Sequence, residues 1–139
     1  MAMPITTRHR LAALPPYTIL TGEDFTGQDL VSARFLKLRF TRCSFAGADL
    51  RQATLNGCWF KFCDLSGAIL RGASLRGATM AGCNLRDVDL RDADLTDAKF
   101  GRVNTGIPPH GLTDVTGVRL AGATLRDIQL DSVIGWPPL

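Results

Sequence analysis

Four cysteines are the residues of this sequence with the most obvious chemical potential. Cys58 and Cys63 lie five residues apart in GCWFKFCDL, residues 57–65. Closely spaced cysteines occur in metal sites, in disulfides and in redox pairs. No histidine lies near them and their spacing matches no zinc-binding pattern. A disulfide, a redox pair and a purely structural role remain, and the wider sequence pattern favours the structural role.

The chain repeats with a period of five residues. Every fifth residue from 25 to 100 is Leu, Phe or Met. The position two residues before each of these apolar centres is small, and from 33 to 103 it holds eight alanines and all four cysteines. Cys58 and Cys63 are therefore five residues apart because the repeat is five residues long. We expect all the cysteines to pack as small buried residues with free thiols.

A period of five excludes both common regular structures. Side chains alternate between the two faces of a strand, so an odd period sends successive centres to opposite sides. An α-helix rotates by about 100° per residue, so a five-residue period leaves no apolar stripe along it. The chain must instead turn once per five residues and stack on its own copies, which makes it a solenoid.

The repeat unit resembles that of a known family. ADL at 48–50 and 93–95, CNL at 83–85 and VDL at 88–90 are similar to the A(D/N)Lxx unit of pentapeptide repeat proteins. The resemblance covers roughly residues 20–133. It implies an all-β fold, a right-handed quadrilateral parallel β-helix with four units per coil and about five to six coils in this chain.

The repeat also divides the chain. Residues 1–19 are expected to form an N-terminal cap, residues 20–133 the β-helix, and residues 134–139 an apolar C-terminal tail. The segment NTGIPPHGLT, residues 104–113, breaks the pattern, since Pro108 and Pro109 cannot donate to a strand ladder. We interpret it as a loop of about half a coil or as one distorted coil. It is either a tolerated irregularity or a partner-contacting loop, as in relatives that bind topoisomerases.

No catalytic constellation is present in the sequence. The two histidines, His9 and His110, lie near the start and in the irregular segment. Asp89 and Asp94 resemble paired carboxylates, but each precedes an apolar centre and the repeat explains them. We therefore expect no enzyme activity, no cofactor and no metal site.

Sorting the units by coil reveals an uneven distribution of charge. One predicted face comprises residues 38–42, 58–62, 78–82, 98–102 and 118–122, and it holds bases but no acid. Trp59 and Phe62 lie outside the buried columns of this face and would stand beside the bases. The alternative is a chance cluster whose aromatic residues are covered by the N-terminal segment. The candidate partner-binding residues are Arg39, Arg42, Trp59, Lys61, Phe62, Lys99, Arg102 and Arg119.

These features predict a non-enzymatic scaffold that binds an unknown protein partner through one solenoid face. The sequence has no apolar run long enough to span a membrane and no signal-peptide pattern, so we expect a cytoplasmic protein without membrane contact.

The resemblance implies two further possibilities. Some relatives mimic DNA and modulate DNA gyrase or topoisomerase IV, but those are typically acidic, whereas this chain carries a net charge of +3. Relatives also dimerise through their C-terminal ends, which makes a homodimer involving Trp136 possible. A third alternative is nucleic-acid binding by the basic face, which the small net charge disfavours.

Overall fold

Six short parallel strands form one side of the molecule. The computed structural model describes residues 6–106 and 111–137. A short helix, α1 (Thr7–Ala12), precedes the strands. The strands pair in sequence order, and they are β1 (Ile19–Thr21), β2 (Arg39–Thr41), β3 (Trp59–Lys61), β4 (Thr79–Ala81), β5 (Lys99–Gly101) and β6 (Gln129–Leu130).

The strand register shows the coil of the solenoid directly. Leu20 lies opposite Phe40, and Phe40 lies opposite Phe60, so each coil contains twenty residues. Three further parallel bridges per coil, such as Asp24 with Ser44, mark the other three sides. The predicted all-β, four-sided parallel β-helix is confirmed. The solenoid has about four regular turns, from β1 to β5, and is thus somewhat shorter than the expected five to six coils.

The repeat pattern arises because each coil buries two residues per side. All the apolar centres from Phe25 to Phe100 are buried, and so are the alanines and cysteines that precede them. Phenylalanine rings stack between coils, with ring centroids 4.8 Å apart for Phe25 and Phe45 and 5.2 Å apart for Phe40 and Phe60. The interior is therefore one continuous apolar core along the axis.

The corners explain the aspartates that precede the centres. The residue two positions after a centre has a positive φ, for example 63° at Gly47 and 60° at Asp87. The Asp64 carboxylate accepts a hydrogen bond of 2.9 Å from the Ser66 backbone N–H, which closes the turn before the corner. A carboxylate in this role is a turn-forming group, which accounts for its repeated occurrence.

The register changes once, after β5. Lys99 pairs with Gln129, thirty residues further on, so ten extra residues enter this coil. The Val103 N–H donates to the Gly111 carbonyl at 2.8 Å where the inserted segment leaves and rejoins the coil. The buried Thr113 hydroxyl donates to the Gly101 carbonyl at 2.7 Å and accepts from the Cys83 N–H at 3.2 Å. His110 lies outside the described residues.

The insertion corrects one predicted face. Ten residues are half a coil, so every later unit moves to the opposite side of the solenoid. Arg119 pairs with Asp89 rather than continuing the column of Lys99. The placement of residues 118–122 on the basic side was therefore wrong, and Gln129, Leu130 and Asp131 occupy that place instead.

The two ends of the solenoid differ. At the N-terminal end, α1 lies on the first coil and its Leu11 is fully buried. At the C-terminal end, three apolar side chains of the last coil remain exposed, namely Leu125, Leu130 and Ile134. The described part of the chain contains no helix long and apolar enough to cross a bilayer.

Candidate functional site: the basic aromatic face

The outward side of strands β1 to β6, with the corner residues that flank it, is the most distinctive surface of the molecule. We call it the basic aromatic face. Six of its described residues carry positive charge, namely Lys37, Arg39, Arg42, Lys61, Lys99 and Arg102. Its acids lie at the C-terminal end: Asp131, which lies 3.6 Å from Arg102, and Asp97 and Asp127, at the corners that precede β5 and β6. The prediction of a face without acids was thus wrong at its C-terminal end.

The adjoining side has the opposite charge. It comprises residues 23–27, 43–47, 63–67, 83–87 and 113–117, which hold one base, Arg86. We call it the acidic face, and its acids are Glu23, Asp24, Asp64, Asp87 and Asp114. The molecule is therefore electrically polarised across one edge of the coil.

Arg39 is held between two exposed aromatic rings. Its guanidinium carbon lies 5.3 Å from the centroid of the Trp59 ring and 5.5 Å from that of Tyr17. The Lys37 ammonium lies 5.9 Å from the same Tyr17 ring. Stacking of this kind fixes a guanidinium while leaving its N–H edges free to bind a planar oxyanion. Among the described residues Arg39 has no ion pair.

The alternative in which the N-terminal segment covers Trp59 and Phe62 does not hold for Trp59, which is 49% exposed. Tyr17 is 58% exposed. Tyr17 belongs to the segment predicted to be a cap, yet it stacks on Arg39 and extends the face. Sequence reasoning missed Tyr17 and Lys37, although both occupy corner positions of the five-residue phase. Continuing the phase backward from the first coil would have found Tyr17.

Phe62 forms an unusual corner of the same face. Its φ is 53°, a left-handed value that side chains of this size rarely adopt. The ring is half-buried and lies on Gly82, where an added Cβ would be 3.0 Å from the Phe62 Cδ1 atom. The Arg42 guanidinium carbon lies 4.8 Å from the ring centroid. The same corner conformation occurs at ten other described non-glycine residues, so what distinguishes Phe62 is the size of its ring.

Replacing Phe62 with glycine is expected to change the free energy of unfolding by less than about 1 kcal/mol. Glycine relieves a left-handed strain of about 1–2 kcal/mol, while removal of the half-buried ring loses a similar amount of apolar burial. Urea unfolding would measure the change. Ser32→Gly, at another left-handed corner (φ 58°), is the control and should stabilise. A loss of more than about 2 kcal/mol in Phe62→Gly would show that the ring is structural.

Lys99 and Arg102 lie at the C-terminal end of the face, whereas Arg119 is outside it. Lys99 stands two strands beyond Trp59, across Thr79 of β4. The structure thus brings Arg39, Arg42, Trp59, Lys61 and Phe62 together, places Lys99 and Arg102 on the same side at a distance, and separates Arg119 from all of them.

Two carboxylates on the opposite side of the coil have structural partners. Asp49 pairs with Arg51 and Asp89 pairs with Arg91, each at 2.7 Å. The hydrogen bonds from the arginine side chains hold the pKa of both aspartates below the ordinary value. A general acid needs a raised pKa, so these pairs are unsuited to that role.

The Asp89 pair makes stability depend on acidity. Because its pKa is lowered by folding, the charged carboxylate stabilises the fold above pH of about 4 and the stabilisation disappears as the pH falls below that. Asp89→Asn should lower the free energy of unfolding by about 0.5–1 kcal/mol at pH 7 and have almost no effect near pH 3. Asp127→Asn is the control, since Asp127 is exposed and has no ion pair among the described residues. Equal effects of Asp89→Asn and Asp127→Asn would show that the Asp89–Arg91 ion pair is not the source of the pH-dependent stabilisation.

The cysteines are buried structural residues. All four are free thiols, and the Cys58 and Cys83 sulfurs donate to the Phe35 and Phe60 carbonyls at 3.3 and 3.1 Å. Burial raises the pKa of Cys58 to about 11, so its thiol is protonated at neutral pH and poorly nucleophilic. Within the described ranges, no group of three or more His, Cys, Asp or Glu side chains is arranged to hold a metal ion.

The repeat, the four-sided coil and the exposed charged face define a pentapeptide-repeat solenoid. A family model described as the pentapeptide repeat region matches residues 33–106, and the chain belongs to the pentapeptide repeat family. A search of curated proteins gives no match.

Solved structures support the same fold. The pentapeptide repeat protein Rfr23 from the cyanobacterium Cyanothece 51142 is 20% identical, with 84% of this chain and 90% of that chain covered and a TM-score of 0.65. The pentapeptide repeat protein alr5209 from Nostoc Pcc 7120 is 27% identical, with 78% and 84% covered and a TM-score of 0.61. QnrB1, a plasmid-mediated fluoroquinolone resistance protein, is 21% identical with 81% and 69% covered and a TM-score of 0.48, which is too low to carry a functional argument.

Proposed function

We propose that this protein is a non-enzymatic scaffold that binds an acidic partner through the basic aromatic face. The observation that carries the proposal is Arg39, an exposed cation fixed between the Tyr17 and Trp59 rings. Arginine, tyrosine and tryptophan are the residues that contribute most to binding at interfaces. Here all three meet on one flat side of a rigid coil, so little conformational entropy is lost when a partner binds.

The uneven charge of the molecule supports the same proposal. The basic aromatic face and the acidic face meet at one edge, and such polarity orients an approaching acidic partner toward the basic side. The exposed Tyr17 and Trp59 rings contact a base of this same face, Arg39.

A charge-reversal experiment tests the proposed function. The triple variant Arg39→Glu, Lys61→Glu, Lys99→Glu and the wild type are used to capture partners from host lysate, with identification by mass spectrometry. The matched control is Arg71→Glu, Arg119→Glu, Arg126→Glu, which changes the net charge equally on other sides of the coil. None of these six bases has an ion pair among the described residues.

The expected result is a partner retained by the wild type and the control variant but lost from the face variant. Loss from both variants, or from neither, would show that the basic aromatic face is not the binding surface. Circular dichroism of each variant verifies that it is folded.

Modulation of DNA gyrase is the alternative outcome of the same experiment. If the charge-reversed face variant still captures gyrase subunits, the acidic face is the surface that binds them. The arrangement of that face does not favour this result, because Ser44 and Asn84 interrupt the column of Asp24, Asp64 and Asp114.

We also propose that two copies associate through the C-terminal end. The last coil leaves Leu125, Leu130 and Ile134 between 36% and 41% exposed, whereas α1 covers the other end. An open solenoid end has unpaired edges that require a cover. Light scattering should give a dimer for the wild type and a monomer for Leu130→Glu, and a monomeric wild type would refute this.

A further inference from the structure

Strand β4 forms a recess across the basic aromatic face. Its outward residues Thr79 and Ala81 are short, and the recess ends at the corner residue Gly82, which the Phe62 ring and the Gly111 carbonyl cover. The strand before it presents Trp59, and the strand after it presents Lys99 in the same register. Neighbouring strands are about 4.8 Å apart, so Trp59 and Lys99 stand about 9.6 Å apart with only a threonine between them. A planar ring stacked on the indole at about 3.5–4 Å fits within this width.

Trp59 presents a free surface to this recess. Arg39 approaches the indole from the β2 side, with its guanidinium carbon 5.3 Å from the ring centroid. In the strand register Thr79 lies opposite Trp59 on the β4 side, and its side chain is much shorter than the indole. Trp59 is 49% exposed. A flat aromatic ligand would complete a stack that Arg39 begins.

Positive charges lie on both sides of the recess. Arg39, Arg42 and Lys61 precede it and Lys99 follows it, and the described part of the structure gives none of these four an ion pair. A ligand that fits must therefore have a planar ring with negative charge extending from it in two directions. A nucleotide within a chain has this arrangement, since a phosphate flanks its base on each side.

The dimensions of the face favour an extended chain over a globular partner. The face is three strand residues wide, about 10 Å, and extends about 19 Å from β1 to β5. A long narrow strip of this kind matches the backbone of an extended chain along its length. A short single strand fits such a strip, because compact stacking sites bind as few as about four nucleotides.

The geometry points to single-stranded nucleic acid as the partner, with one base stacked on Trp59 above β4 and phosphates on the flanking bases. This inference rests on the proposed function, which makes the basic aromatic face the binding surface, and it names the class of partner. A duplex has its bases paired and stacked internally, so it cannot fill the recess. An acidic polypeptide would use the charges but gain little from the indole.

Fluorescence anisotropy with a short fluorescein-labelled single-stranded oligonucleotide tests the inference on the full chain. We expect saturable binding that weakens about tenfold or more between about 50 and 200 mM salt, as for a ligand with about three neutralised phosphates. Trp59→Leu should weaken binding about tenfold by removing the stack, while the salt dependence stays unchanged.

A second variant tests the recess without removing a ring or a charge. Thr79→Leu fills the space beside Trp59, and a branched apolar residue is tolerated at an outward strand position. It should weaken oligonucleotide binding about tenfold. Thr21→Leu on β1 is the matched control, because it adds the same bulk to the same face away from the recess, and it should bind as the wild type does.

Three results would overturn the inference. They are equal binding of a duplex of the same sequence, equal binding of polyglutamate, and unchanged oligonucleotide affinity in both Trp59→Leu and Thr79→Leu. Any of these leaves the proposed function intact if the charge-reversed face variant still loses its lysate partner. Retention of that partner would instead refute the proposed function itself.

Discussion

Truncation of Phe40 to alanine is expected to lower the free energy of unfolding by about 3–5 kcal/mol. Phe40 is fully buried and its ring contacts four others, with centroid distances between 5.0 and 6.2 Å. The four rings belong to Phe25, Phe35, Phe45 and Phe60. The truncation therefore removes the centre of the aromatic core in the first coils.

The solenoid backbone prevents this cavity from closing. Each coil is hydrogen-bonded to its neighbours on every side, as between Leu20, Phe40 and Phe60, so the strands cannot move inward to fill the space. The cost of a core truncation rises with the volume that stays empty. Phe40→Ala should therefore fall in the upper part of the usual range.

Equilibrium denaturation in urea, followed by circular dichroism, measures the effect. Leu125→Ala is the control, since Leu125 is 36% exposed in the last coil and should cost about 1 kcal/mol or less. A loss below about 2 kcal/mol in Phe40→Ala would contradict the rigid-coil explanation. Because each repeat contacts only its neighbours, the destabilisation should be strongest for the N-terminal coils.

The interior of the regular coils could be predicted almost entirely from the sequence. Buried positions recur every fifth residue, and their side-chain types change together with burial. The repeat predicts one column of Leu20, Phe40, Phe60, Met80, Phe100 and Leu120. The strand pairing confirms the first five and places Leu130 instead of Leu120 beside Phe100. The core can be predicted because every centre is an apolar residue buried in the same way.

The face of the last coil could not be predicted because the insertion is two repeat units long. Ten residues preserve the five-residue phase, so Leu120 and Leu130 remain in register with the centres before them. They also amount to half a coil, so each later unit changes sides. The sequence alone does not distinguish a half-coil loop from continued winding, and Arg119 was misplaced for that reason.

The candidate site was predicted in part. The columns identified Arg39, Trp59 and Lys61 as outward neighbours. They did not show that Tyr17 stacks on Arg39 or that Phe62 lies on Gly82, because both contacts depend on how corner side chains lean. One sequence pattern predicts such a contact. A bulky corner residue followed twenty residues later by glycine lies over that glycine, as Gln52 does over Gly72.

Replacing Gly111 with alanine is expected to cost about 3 kcal/mol, although the residue lies in the irregular segment. Its φ is 78°, and an added Cβ would collide with the Val103 carbonyl oxygen, which is backbone and cannot move aside. The left-handed conformation costs an alanine about 1–2 kcal/mol. Displacement of the hydrogen bond from the Val103 N–H to the Gly111 carbonyl adds about 1 kcal/mol. The nearby hydrogen bonds of the Thr113 hydroxyl would also be strained.

Gly106→Ala is the matched control for this change. Its φ is 75°, but nothing lies within 4 Å of an added Cβ, so only the backbone cost of about 1–2 kcal/mol applies. Thermal and urea unfolding of both variants separate the collision from the backbone term. Equal losses would show that the closure between Val103 and Gly111 does not hold the inserted segment in place.

Deletion of residues 103–112 then decides what the insertion is for. It joins Arg102 to Thr113 and restores the twenty-residue spacing, so the coil should wind without interruption and the stability should stay within about 1 kcal/mol of the wild type. If this variant folds and keeps its partner, the insertion is a tolerated irregularity. If it folds and loses the partner, the inserted segment contacts that partner. Residues 113–137 already stack on the preceding coil, so the deletion does not change their position relative to it. Any loss of binding is therefore due to the removed segment alone.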